Sequence, residues 1–293
     1  MKNCHRQIIF IALVTLNLIK FSVATLFSGN YNQDFTIEYT PNHVYTSPNG
    51  RFRTLSLDHD SGSGFASKEK LLFGRFDMQI KLVPGRSAGT VVAFYLKSGD
   101  GNNRDEVDFE FLGNVIGKPY GLQTNIFSDG SGNREQRIHL WFDPTKDFHT
   151  YSILWNIHLI MFMVDGIPIR VYRNLAEKGV QYPQWKPMNL VSTIWNGEGW
   201  ATNGGKDKID WSKAPFIASF RNYKVDACFW RGDAGFCRAN SPSNWWNNPR
   251  FSQLNPWQRK MLLWVRKYYM YYDYCTDHKR FPSLLPKECT IAL

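Results

Sequence analysis

Acidic and apolar side chains alternate through Asp105-Glu106-Val107-Asp108-Phe109-Glu110-Phe111. A period of two belongs to a β-strand, whose successive side chains point to opposite faces. The pattern predicts a strand with Glu106, Asp108 and Glu110 on one face and Val107, Phe109 and Phe111 on the other. The apolar row suits a core. The acidic row sets like charges in line, which costs stability unless it meets water, a cation or a reacting substrate. Residues i and i+4 of a strand stand about 13 Å apart, and two Glu side chains leaning together close this to roughly 6 Å. Retaining glycoside hydrolysis uses carboxyl groups about 5–5.5 Å apart and inverting hydrolysis about 6.5–9.5 Å. The pair Glu106 and Glu110 therefore suits glycoside chemistry, and spacing alone does not choose between the two outcomes. Asp108 between them could hold a proton or a hydrogen bond and separate their pKa values. A solvated strand face and a calcium site also fit the bare pattern; the apolar opposite face and the aromatic surroundings favour a cleft.

The elements that must carry this strand read as β throughout. From about 25 to 225 the chain is a series of short alternating or aromatic segments, such as 73–82, 88–95, 151–155 and 160–166, broken by Gly, Pro, Asn and Asp. Many short strands with frequent turn signals predict an all-β sandwich or jelly roll. After about 226 the character changes. Asn255-Pro256 reads as a helix N-cap and first position. Met261, Leu262, Trp264, Val265, Tyr268 and Tyr269 then recur at helical spacing, with Arg259, Lys260, Arg266 and Lys267 toward solvent. The expected division is a leader over 1–24, a catalytic β domain over 25–225 and a C-terminal extension over 226–293.

The leader has a basic start and an apolar run, Ile8 to Val14, followed by small residues at Ser22-Val23-Ala24. This is the pattern of a secretory signal peptide cut near Ala24, so an extracellular protein is expected, with no membrane association after cleavage. Cys4 leaves with the leader, and Cys228, Cys237, Cys275 and Cys289 remain. Three pairings are possible. Local pairing, Cys228 with Cys237 and Cys275 with Cys289, is expected because each pair flanks a short Gly- or Pro-containing loop. The spacings match no common zinc motif and the compartment is oxidising, so no metal and no cofactor are expected. The net charge is +10 (35 − 25); loss of Lys2, Arg6 and Lys20 with the leader leaves +7 (32 − 25), still enough to hold a secreted protein in an acidic polysaccharide matrix. Nucleic acid would satisfy charge equally, but secretion and the lack of a nucleic-acid motif argue against it.

The stretch Arg104 to Asn114 closely resembles the active-site strand of the plant xyloglucan endotransglucosylase/hydrolases of glycoside hydrolase family 16. The likeness extends to Ser61-Gly62-Ser63-Gly64-Phe65, Gln123-Thr124-Asn125, Asn133-Arg134-Glu135-Gln136, Trp141-Phe142-Asp143-Pro144 and Asp210 to Phe216. It continues in Tyr274-Cys275-Thr276-Asp277, Arg280-Phe281-Pro282 and Pro286-Lys287-Glu288-Cys289. The resemblance implies a curved, concanavalin-like β-jelly-roll sandwich with an open cleft. It implies a retaining mechanism with Glu106 as nucleophile, Glu110 as general acid/base and Asp108 as supporting carboxylate. It also places Gln123, Asn125, Asn133, Arg134, Glu135, Gly199, Trp200, Gly204 and Arg280 where the family binds glucan. The implied partners are a xyloglucan donor and a xyloglucan oligosaccharide acceptor, handled by a monomer in the plant cell wall.

Four positions depart from the family pattern. Arg104 stands where His is common, Ala66 where Gln is common, and Gly199 where an Asp precedes the Trp. Asn114-Val115-Ile116 lacks the usual glycosylation sequon, and no Asn-x-Ser/Thr occurs anywhere in the chain. The short segment from Trp195 to Asp210 resembles transferring rather than hydrolysing members. A predominantly hydrolytic xyloglucanase is the alternative within the enzyme reading. A non-catalytic glucan-binding protein of the cell wall is the alternative outside it.

Overall fold

The computed structural model describes residues 25–291, and the leader expected over 1–24 lies outside them. In chain order the strands are β1 (Thr25–Ser28), β2 (Phe35–Tyr39), β3 (Val44–Thr46), β4 (Phe52–Leu57), β5 (Ser63–Ser67), β6 (Leu71–Lys81), β7 (Thr90–Lys97) and β8 (Glu106–Leu112). They continue with β9 (Gly121–Phe127), β10 (Gln136–His139), β11 (His149–Trp155), β12 (Leu159–Val164), β13 (Ile167–Arg173), β14 (Asn189–Asn196), β15 (Phe216–Phe229) and β16 (Met270–Asp273). They form two antiparallel sheets, ordered β13-β12-β11-β6-β15-β4-β3, with β1 also on β15, and β16-β10-β9-β8-β7-β14-β5-β2. This is the all-β sandwich that the alternating segments predict.

The layers are held by the apolar halves of the alternating strands. On β8, Val107, Phe109 and Phe111 are fully buried. Phe109 meets Phe162 of β12 edge-on at 5.1 Å, and Phe111 meets Tyr151 of β11 at 4.6 Å. Each side chain so buried contributes about 1.5–3 kcal/mol. The same anchoring fixes the register of β8, because a slip of one residue would turn its carboxylates into the core. Arg170 of β13 crosses the layer and donates to the carbonyl of Thr124 at 2.8 Å, fastening β9 beside β8.

Three features differ from the sequence expectation. β15 runs on to Phe229, past the expected boundary at 225, because Val225 and Ala227 continue its buried alternation. The helix Pro256–Tyr268 has the expected Asn255 cap, with Gln258 completing a capping box, and it packs against β13. Val265 is buried, but Tyr268 is 62% exposed. Tyr268 ends the helix, and the chain turns directly into β16, which pairs with β10 and extends the sheet that carries β8. Nothing in the periodicity of so short a segment marks it as a strand.

Candidate active site

The pairing register converts the acidic strand into a set of transverse rows. Thr193, Ala93, Glu110, Gln123, Arg137 and Tyr272 lie opposite one another in succession across β14, β7, β8, β9, β10 and β16. One row along, Tyr95, Asp108 and Asn125 are in register, and beyond them Lys97, Glu106 and Phe127. The three carboxylates line a cleft of about 230 Å³ together with Ala93, Tyr95, Thr193 and Trp195. A second hollow of about 340 Å³ lies at the Leu112 end of β8 and is lined by Gly121, Arg137, His139, Gly204 and Tyr271.

Each carboxylate has its own environment. Glu106 Oε2 accepts from Arg104 Nε at 3.0 Å, and the Arg104 guanidinium lies over the Phe127 ring at 4.6 Å. The position that departs from the family pattern thus puts a permanent cation on Glu106, with a charge-assisted bond. Asp108 is 5% exposed and its Oδ1 has no hydrogen-bond partner. Burial first, then the neighbouring Glu106 and Glu110, hold its carboxyl well above the usual range, and a hydrogen bond to Glu106 acts in the same direction. Glu110 is pushed up to about 7, chiefly by burial, with Glu106 and Glu135 raising it and the Gln123 hydrogen bond and Arg137 opposing them. One strand therefore holds a carboxylate bonded to a cation and two carboxyl groups whose protonated forms burial favours. A carboxyl group tuned toward neutral pH, as Glu110 is, is what general acid/base chemistry requires. Among the described residues, no group of three or more His, Cys, Asp or Glu is placed to hold a metal ion.

The other resemblance-implied positions divide into three groups. Gln123 and Asn125 stand in the rows beside Glu110 and Asp108. Gln123 Nε2 donates to Glu110 at 2.5 Å, and Asn125 Oδ1 accepts from the backbone N–H of Ile126 and Arg134.

Asn133, Arg134, Glu135 and Arg280 form a second cluster where the C-terminal segment meets the β9–β10 turn. Arg280 donates to Glu135 at 2.6 Å, to Asn133 at 2.5 Å and to the Tyr272 hydroxyl at 3.2 Å. Arg134 is 7% exposed, and its guanidinium bonds Glu288 at 2.7 Å and the carbonyls of Ser131 and Ile126. That side chain is committed to the turn and the tail rather than offered to the cleft. Cys275 is bonded to Cys289, and Cys228 to Cys237. Replacing Cys275 and Cys289 by Ser is expected to cost about 3 kcal/mol, the chain entropy of a loop of about fifteen residues. A lowered thermal midpoint would register it, and an unchanged midpoint would mean that the Arg134–Glu288 pair holds the tail alone.

Gly199, Trp200 and Gly204 form the third group, on the turns after β14. Gly205 closes that loop: its φ is +82°, and a Cβ there would stand 2.1 Å from the Gly199 carbonyl oxygen. Trp200 is held 6.0 Å from Trp195, ring to ring. Around Gly199 the space is open, with nothing within 4 Å of a Cβ.

Tyr95, Trp195 and Arg137 border the carboxylate rows and are not among the sequence-derived site residues. Their signal was available only through register, since each lies on a different strand from Glu110.

Residues 31–213 match the family model described as Glycosyl hydrolases family 16, and residues 240–289 match that of the Xyloglucan endo-transglycosylase (XET) C-terminus. The chain is 60% identical over 264 residues to the probable xyloglucan endotransglucosylase/hydrolase protein 10 of Arabidopsis thaliana, covering 90% of this chain and 88% of that protein. It is 51% identical over 267 residues to the xyloglucan endotransglucosylase protein 7 of Diospyros kaki, covering 90% and 98%. In fold it is similar to a β-1,3-1,4-glucanase (lichenase) derived from a mouse hindgut metagenome, with a TM-score of 0.57 at 22% identity over 69% of this chain and 99% of that one. A Bacillus licheniformis β-glucanase aligns with a TM-score of 0.53 at 24% identity, over 71% and 94%. With both family models matched in order and relatives of this identity spanning nearly their whole length, the chain belongs to glycosyl hydrolase family 16, among its xyloglucan endotransglucosylase/hydrolases.

Proposed function

We propose that this chain cuts the β-1,4-glucan backbone of xyloglucan with retention and joins the new end to a second xyloglucan chain. The observation that carries the mechanism is the contrast along β8: Glu106 is paired with Arg104, whereas Glu110 keeps its proton up to about pH 7. In the first step an oxygen of Glu106 bonds to the anomeric carbon as that carbon's bond to the glycosidic oxygen breaks. The Glu110 proton passes to the departing oxygen. In the second step Glu110, now a carboxylate, takes the proton of an acceptor hydroxyl, whose oxygen displaces Glu106. Asp108, with its proton directed to Glu106, steadies the carboxylate before attack and as leaving group. Gln123, Asn125 and the Asn133–Glu135–Arg280 cluster supply hydrogen-bonding groups to the glucan, and Trp195 and Trp200 offer flat apolar faces to pyranose rings.

Transfer requires an acceptor sugar to be held well enough to outcompete water. The strand β16 widens the sheet on that side with Tyr271 and Tyr272, and it supports the reading of a transferase over a hydrolase. Incubating xyloglucan with a labelled xyloglucan oligosaccharide tests this directly. Label is expected to enter polymer, and reducing ends formed without incorporation would sink the transfer reading.

The same assay run against pH checks the acid. The rate constant kcat/KM is expected to fall above about pH 7, because rising pH removes the proton that Glu110 must donate. A profile flat to well above that value would mean another group is the acid. Export through the leader at 1–24, a place in the plant cell wall and action as a single chain complete the proposal. No helix among the described residues is long and apolar enough to cross a membrane.

A further inference from the structure

The row Glu110–Gln123–Arg137 is joined by side chains as well as by backbone pairing. Gln123 Nε2 donates to Glu110 Oε2 at 2.5 Å, and Arg137 Nε donates to Gln123 Oε1 at 2.6 Å. An amide presents an acceptor on one side and a donor on the other, and nothing intrinsic says which end faces a neighbour. A guanidinium can only donate. With Arg137 opposite, the flipped amide would set two donors against each other, leaving the oxygen toward Arg137 as the satisfied orientation. Arg137 is itself braced, its guanidinium lying 5.3 Å from the Tyr272 ring centroid on β16.

We propose that Arg137 is a positioning residue of the reaction: it fixes the Gln123 amide so that the NH2 group, and not the oxygen, meets Glu110. A donor aimed at Glu110 favours its carboxylate form, the form needed to accept a proton from the incoming sugar. The other charged or titratable groups facing Glu110 are Glu106 and Asp108 on its own strand, Tyr95 on β7, and Glu135 just before β10. Of these, Glu106 and Glu135 act against the carboxylate, so the Gln123–Arg137 pair is its counterweight. The assignment rests on Glu110 being the acid/base. It gives β16 and the C-terminal segment a part in the chemistry, since they brace the far end of the row.

The test is the pH profile of kcat/KM for Arg137→Met, Arg137→Lys and Gln123→Leu, and for the double variant Gln123→Leu/Arg137→Met. Loss of a nearby cation and its oriented donor is expected to move the alkaline limb up by about one pH unit in Arg137→Met. Arg137→Lys keeps the charge and loses the fixed Nε, so its limb should also move up, by less than in Arg137→Met. In the Gln123→Leu background, adding Arg137→Met should move the limb by less than half as much, as coupled residues do. A limb unmoved in Arg137→Met, a Lys variant behaving as native, or a full shift in the double variant would overturn the proposal. Should Arg137→Met not fold, Arg137→Gln carries the same expectation. Failure of the underlying reading is distinguishable: Glu110→Gln would then retain activity with the native alkaline limb.

Discussion

Replacing Glu106 by Gln is expected to lower turnover about 10⁴-fold or more, a barrier increase of about 5.5 kcal/mol, while leaving glucan binding within a few-fold. The amide matches the carboxylate in shape and keeps an oxygen to accept from Arg104, which holds Glu106 at 3.0 Å. Orientation and packing should therefore survive. What disappears is the anionic oxygen that must bond to the anomeric carbon, and with it the covalent intermediate that splits the reaction in two. Binding should persist because the aromatic and amide groups around the cleft, Tyr95, Trp195, Gln123 and Asn125, are untouched. Label-transfer kinetics and calorimetric titration with a xyloglucan oligosaccharide give the two numbers separately. Activity within tenfold of native would remove Glu106 from the nucleophile's place. Unchanged binding with no native activity to lose would instead favour a non-catalytic glucan-binding protein.

The carboxylate row was legible in sequence because it is local. Alternation over Glu106–Phe111 places each side chain on its face without any knowledge of the neighbouring strands, and the buried Phe109 and Phe111 pin it there. The helix at Pro256–Tyr268 was legible for the same reason, its Asn-Pro start and periodicity lying within one segment. What pairs with that row was not. Gln123 stands beside Glu110, Arg137 beside Gln123, and Tyr272 beside Arg137 through sheet registers that join strands far apart in the chain. β16 is the extreme case, four residues whose strand character comes from the open edge of β10 rather than from their own pattern. Arg134 shows the converse. Its motif suggested a glucan contact, while its guanidinium is spent on Glu288 and the carbonyls of its own turn. Motif likeness carries residue type to a place in the fold, and only tertiary partners decide which atoms remain free.

Asp108→Asn is expected to lose about 10²–10³-fold in kcat, the range for weakening one preorganised hydrogen bond to a reacting group, and yet to unfold at a higher temperature than the parent at neutral pH. Asp108 is buried between two further carboxylates with Oδ1 unpartnered, so its charged form is opposed from three directions. Its folded pKa lies well above the usual value, with burial the largest cause. A carboxyl group raised in this way adds stability that is fully present below the unfolded pKa of about 3.9. That contribution is lost as pH rises toward the folded value. Asn has no proton to lose, so the variant should gain on the parent as pH increases from about 4 upward. The amide still donates to Glu106, but more weakly than a carboxylic O–H, so the packing survives while turnover falls. Thermal midpoints at pH 4 and 7, set beside kcat, decide the matter. A variant less stable at pH 7 with normal kcat would make Asp108 a packing residue and nothing more. The expected opposite result would explain why an acid persists where an amide folds better: a buried carboxyl that costs stability is retained where its proton does chemistry.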